Sequence, residues 1–268
     1  MISKYKVLDA HCHIYPEKIL PRAVDATGDF YGEKPYHNGT VEQLISEGVK
    51  AGIDRFIVQS VATTKKQVEN INDFIASEVK THPDRLIGLG TIHPESDDME
   101  ADIRHIKELG LHGIKIHPDI QGFAADCDGF ERAYDICEEY SLPVLMHTGD
   151  KRYDFSNPNR IAPLLKRRPG LTVIGAHFGG WSIWETAVDY LCDFENFYVD
   201  TSSAVCYISP EKSREIIRRY GKERVLFGTD YPLHAISEEV KDILKLNLDD
   251  DEYAALLYDN AKKVYGIE

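Results

Sequence analysis

The chain predicts an α/β fold, a (β/α)8 TIM barrel in a single domain spanning residues 1–268, and three observations predict it. Short apolar or β-branched runs alternate with longer amphipathic ones eight times over, which implies a parallel sheet with helical crossovers. The length of 268 residues matches one barrel, which typically needs about 250. Nowhere does a glycine-rich nucleotide turn follow a strand, as an open doubly wound sheet would want.

The strands are read at Lys6–His11, Arg55–Val61, Leu86–Ile92, Gly113–Ile116, Pro143–Met146, Leu171–Ala176, Phe197–Asp200 and Val225–Gly228. Helical periodicity falls between them at Val41–Ala51, Lys65–Thr81, Met99–Leu109, Phe130–Tyr140, Asn159–Lys166, Ile183–Phe194 and Glu211–Tyr220. A last helical region runs from Glu238 to Tyr265 with a break near Asn247–Asp250, where Asp249-Asp250-Asp251-Glu252 suits a helix N-terminus. Gly52, Gly110 and Gly221 stand where helices should stop. The longest stretch without periodicity, Ile14–Gly39, reads as a long loop after the first strand, and a long loop in a compact barrel is more often functional than not.

Composition removes several function classes. With 45 acidic against 31 basic side chains, the formal net charge is −14, which disfavours nucleic acid and anionic membrane surfaces as partners. No apolar stretch approaches the roughly 20 residues that cross a bilayer, and the N-terminus lacks a signal-peptide core. The five cysteines are scattered without a Cys-x-x-Cys pair, which fits buried thiols in a reducing cytoplasm.

The chemistry is concentrated in Asp9-Ala10-His11-Cys12-His13 at the end of the first strand. Residues two apart in a strand share a face, so His11 and His13 can present two imidazoles to one ion. His147, His177 and Asp230 also lie at the C-terminal ends of apolar runs. Active sites of parallel barrels gather at that edge, so all five should converge on one rim. Three or four imidazoles and a carboxylate suit Zn2+, and tolerate Mn2+ or Fe2+. Lys115 lies two residues before His117 on strand four; a lysine facing inward is costly unless paired or functional, which gives it a site role. His117 is a further pocket group. Arg152, in the loop Asp150-Lys151-Arg152-Tyr153-Asp154, either grips an anionic substrate or pairs with its acidic neighbours. Trp181 either walls the pocket or packs a helix, and Tyr15 begins the long loop that would cover it.

These motifs carry a resemblance. Asp9–His13, Met146-His147-Thr148-Gly149, Gly175-Ala176-His177-Phe178-Gly179-Gly180 and Phe227-Gly228-Thr229-Asp230-Tyr231-Pro232 resemble the successive motifs of the amidohydrolase superfamily. They are most similar to its amidohydrolase-related branch, which includes aminocarboxymuconate-semialdehyde decarboxylase, and the closing Asp259–Gly266 segment resembles that branch's last helix. The resemblance implies that His11, His13, His147 and Asp230 hold one divalent ion. It makes His177 an acid/base group or a ligand to a second ion, and a carboxylated Lys115 the bridge if two ions bind. It also implies a homodimer as one assembly.

The leading expectation is a hydrolase that uses metal-activated water on a small carboxylate, lactone, amide or ester. Asp230 accepts the water proton and His177 stabilises or protonates the departing group. The alternatives are a metal-dependent, non-oxidative decarboxylase of an aromatic or muconate-like acid, and an inactive barrel that only binds a small ligand.

Overall fold

A computed structural model describes residues 2–267. The strands are β1 (Leu8–His13), β2 (Arg55–Gln59), β3 (Leu86–Gly88), β4 (Gly90–Thr91), β5 (Ile114–Ile116), β6 (Val144–Met146), β7 (Val173–Gly175), β8 (Phe197–Asp200) and β9 (Val225–Leu226). All pairings are parallel and follow chain order. β3 and β4 are one barrel stave interrupted at Leu89, whose N–H still donates to Val58 O at 2.9 Å. The ring closes where Ala10 N donates to Phe227 O at 2.8 Å, Asp230 N to His11 O at 2.9 Å and His13 N to Tyr231 O at 2.6 Å. The eight-stave barrel expected from the alternation is what forms.

Side-chain alternation builds two apolar layers. Leu8, Ala10, Ile57, Leu145, Ile174 and Leu226 fill the barrel interior, and Tyr265 and Ile267 near the C-terminus join that cluster. The intervening residues, among them Phe56, Val58, Ile116, Val144 and Val199, pack outward against the helices.

The helices are α1 (Leu20–Tyr31), α2 (Val41–Ala51), α3 (Val68–Thr81), α4 (Met99–Glu108), α5 (Pro118–Gln121), α6 (Glu131–Tyr140), α7 (Pro158–Arg167), α8 (Trp184–Leu191), α9 (Pro210–Tyr220), α10 (Ile236–Leu244), α11 (Asp250–Ala254) and α12 (Asn260–Val264). A π-helical turn, Ala255–Asp259, joins the last two. α2 begins at Thr40, whose side chain accepts from Gln43 N, and stops at Gly52 in the left-handed region, with φ 91°. The acidic run closes a reciprocal capping box between Asp249 and Glu252.

One expectation needs correction. Ile14–Gly39 is not an irregular loop: it holds a 3-10 turn at Glu17–Ile19 and the twelve-residue α1. That helix is as amphipathic as α4, but Pro21 in its first turn and Gly28 in its middle make the segment read as a loop. Gly28 sits there because a Cβ would come within 2.5 Å of Glu33 O. No described helix is long and apolar enough to cross a membrane.

Candidate metal centre

The site begins with an irregularity in β1. Asp9 pairs with Phe56 and Cys12 with Val58, so Ala10 and His11 together oppose Ile57. This bulge turns both inward: Ala10 joins the interior cluster, while His11 reaches the rim beside His13. Asp9, facing outward and fully buried, accepts from Thr229 Oγ1 at 2.6 Å and Thr229 N at 3.0 Å, tying the first strand to the last.

His11 Nε2 and His13 Nε2 lie 3.1 Å apart, with Asp230 Oδ1 at 3.4 and 3.7 Å from them. Lys115 Nζ is 3.1 Å from His11 Nε2 and comes from the inward position of β5. Across from this group, His177 Nε2 is 3.1 Å from His147 Nδ1, and the His177 ring stacks on His11 at 5.4 Å. Asp230 and His177 both adopt the left-handed region, with φ 58° and 61°, which bends the chain at each strand end and is costly for a non-glycine residue. Gly228 permits the crowding, since a Cβ there would stand 2.9 Å from His11 Cβ. All five expected strand-end residues therefore reach one rim. They do not form one cluster, however: His11, His13 and Asp230 group together, while His147 groups with His117 and Asp119, each set within 4.8 Å. His177 stands between them.

Buried partners orient the rings. His11 Nδ1 bonds Asp200 Oδ2 at 2.8 Å and His177 Nδ1 bonds Ser202 O at 2.8 Å. Carboxylate and carbonyl oxygens only accept, so each Nδ1 carries the proton and each Nε2 turns its lone pair toward the cavity. Asp200 also accepts from Ser202 Oγ at 2.5 Å and His177 N at 3.0 Å. Burial pushes its carboxyl up, but the His11 imidazole and these donors outweigh burial and hold it down at about 2. Asp230 is likewise held well below the carboxylate range, burial being overcome by His11, His177 and His13. Burial lowers His177 to about 4, drives His13, His117 and His147 well down, and lowers Lys115 to about 8.

The arrangement fits a divalent cation. Two imidazole nitrogens face each other at 3.1 Å beside an ionised carboxylate, and His147 Nε2 is buried without a hydrogen-bond partner. Above it opens a cavity of about 830 Å3 whose lining includes Tyr15, His117 and Lys115. Its lid is α1. Tyr31 OH lies 2.9 Å from His117 Nε2 and 3.2 Å from His147 Nδ1, and His117 stacks on His147 at 3.9 Å.

Arg152 and Trp181 sit behind that lining rather than in it. Asp150 grips the Arg152 guanidinium at 2.7–3.2 Å, Arg152 Nη1 donates to Phe30 O, and the cation lies over Phe30, Tyr153 and Trp181 at 4.8, 5.3 and 5.1 Å. Of the two readings of that loop, the structure shows the paired one. Sequence reasoning did not single out Asp200, Ser202, Asp119 or Tyr31. Asp200 carried the same strand-end signal as the histidines, whereas Tyr31 was hidden in the unpatterned segment.

A parallel barrel whose strand ends gather imidazoles, a carboxylate and a buried lysine belongs to the class of metal-dependent barrel enzymes. A family model described as Amidohydrolase matches residues 8–267, and the chain belongs to that family. It is similar to the uncharacterized metal-dependent hydrolase YabD of Bacillus subtilis (strain 168), 22% identical over 256 residues that cover 85% of this chain and 93% of that one. It is also similar to 2-amino-3-carboxymuconate-6-semialdehyde decarboxylase of Dictyostelium discoideum, 25% identical over 200 residues, 60% of this chain and 55% of that protein. Among solved structures it resembles 5-carboxyvanillate decarboxylase from Novosphingobium aromaticivorans DSM 12444, complexed with manganese and 4-hydroxy-3-methoxy-5-nitrobenzoic acid. The TM-score is 0.77 at 18% identity, over 99% of this chain and 97% of that one.

Proposed function

We propose that the chain is a metal-dependent, non-oxidative decarboxylase of a small aromatic or unsaturated carboxylic acid. The observation that carries this reading is the charge and texture of the cavity. In a protein of net charge −14, its lining holds Lys18, Arg22, Lys66 and Lys115, and Asp230 is its one carboxylate among the described residues. Phe30, Phe74 and Ile71 supply apolar walls. Such a pocket suits a flat anion. The two decarboxylase relatives support the reaction type.

His11, His13 and Asp230, with His147 facing them, are the residues that would hold the ion. Mn2+ or Zn2+ there would supply a Lewis acid that polarises the substrate's oxygen atoms. The remaining work falls to the protein. The carboxylate leaves as CO2, its bonding pair stays on the substrate carbon, and that carbon takes up one proton. His177 Nε2, aimed into the cavity by the bond from its Nδ1–H to Ser202 O, is placed to hold that proton. Tyr31 closes the cavity from above and shields the carbanionic carbon from bulk water.

Hydrolysis, the leading expectation from the sequence, draws on the same centre and on the description of the Bacillus relative. One experiment separates the two. The purified protein with Mn2+ or Zn2+ is offered hydroxybenzoic and unsaturated dicarboxylic acids beside lactones and amides, in heavy water labelled with 18O. Release of CO2 with solvent hydrogen at carbon supports decarboxylation. Label entering a new carboxylate without CO2 overturns it in favour of hydrolysis.

A further inference from the structure

A third cluster of ligand-type side chains lies behind Asp230, away from the cavity. Cys206 comes from the β8–α9 connection, His234 from the β9–α10 connection and Glu239 from the first turn of α10. One ligand atom of each lies within 4.8 Å of the other two. Glu239 is 1% exposed, and its Oε2 has no hydrogen-bond partner. A buried carboxylate oxygen without a donor is expensive and asks for a cation. Burial raises the Glu239 carboxyl to about 8, and burial together with Glu239 raises the Cys206 thiol far above its ordinary range.

Hydrogen bonding leaves the imidazole ready. The Ser203 hydroxyl donates to Asp230 Oδ2 at 2.5 Å, so its oxygen accepts from His234 Nε2–H at 2.9 Å. A neutral His234 then keeps its lone pair on Nδ1.

We infer that Cys206, His234 and Glu239 form a second metal site, separate from the barrel centre, selective for a zinc-class transition ion. A thiolate and a carboxylate neutralise a divalent charge, and the neutral imidazole completes three protein ligands of three different types. Binding breaks the Cys206 S–H bond and the Glu239 carboxyl O–H bond, forms the metal–sulfur and metal–oxygen bonds and releases both protons to solvent. Cys206 is exposed, so the ion can enter and a fourth position remains for water. The ion would sit two hydrogen bonds from Asp230, through His234 and Ser203.

Cobalt tests this without reference to activity. Co2+ is titrated into the purified full-length protein while the near-ultraviolet thiolate-to-cobalt absorption is followed. The expected band saturates at one equivalent per chain. Cys206→Ser should abolish it while cobalt at the barrel centre, seen in the visible d–d bands, remains. Glu239→Gln should weaken the Co2+ affinity of the thiolate site at least tenfold, with thermal melting used to confirm that the variant is folded. A protein that shows no thiolate band at saturating Co2+, or one whose band survives Cys206→Ser, overturns the site.

Discussion

His11 Nδ1 and Asp200 Oδ2 lie 2.8 Å apart across 189 residues of sequence, both side chains buried. Asp200 fixes which ring nitrogen of His11 is protonated and so decides that Nε2 faces the cavity. Asp200→Asn keeps the shape and removes the charge. Loss of such an outer partner typically costs about 10–100-fold in metal affinity. Competition against a chelator measures it, and an affinity equal to that of the unaltered protein would show that Asp200 does not orient His11.

Ion removal should register in stability. A ligand that binds only the folded state stabilises it by about 2.7 kcal/mol at 100 times its Kd. Stripping the protein with a chelator should therefore lower the melting temperature, and Mn2+ or Zn2+ should restore it. In His13→Ala the restoration should shrink to near zero while the secondary structure persists. A full restoration in that variant argues against His13 as a ligand.

Tyr31→Phe removes one hydroxyl that touches both His117 and His147 and leaves the ring in place. About tenfold of kcat should be lost, in the range of one hydrogen bond made at the reacting centre. The melting temperature should hold within a degree or two. Equal activity in the two proteins would assign Tyr31 to packing alone.

Arg152→Ala deletes the cation held between Phe30, Tyr153 and Trp181 and frees the end of α1. Each exposed cation–π contact is worth about 0.5–1 kcal/mol. KM should rise several-fold because the lid is looser, with kcat changing less. If Arg152 instead gripped substrate directly, the loss would depend strongly on the substrate's charge.

Away from the site, Arg168 ties Glu131, Asp135 and Glu138 together between α6 and the end of α7. Burial raises the Glu131 carboxyl, but Arg168 and Arg167 outweigh it and hold it below its ordinary value. A depressed carboxyl contributes stability above its unfolded value and loses it as pH falls through the folded one. Arg168→Ala should cost about 2 kcal/mol near neutral pH, in the range of charge-assisted hydrogen bonds. The gap between variant and parent should narrow as pH drops below the carboxylate range. Denaturant unfolding at a series of pH values tests both the size and the sign.

The sequence alone determined the barrel and the rim residues. Strand and helix periodicities are local properties, and a histidine or aspartate at a strand's C-terminal end is carried to the rim by the chain's own direction. His11, His13, His147, His177 and Asp230 were legible for that reason, as was the inward Lys115 between Ile114 and Ile116. Tertiary structure alone decided what these groups touch. The bulge at Ala10–His11 depends on pairing with β2, the proton on His11 depends on Asp200, and the cover over the cavity depends on a helix whose Pro21 and Gly28 give it the look of a loop. Arg152 is the clearest case: its charge could be read, but whether it faced a substrate or Asp150 followed from how the β6–α7 loop packs against α1. Contacts between segments a hundred residues apart leave no trace in local spacing, because they are selected by packing of the whole barrel.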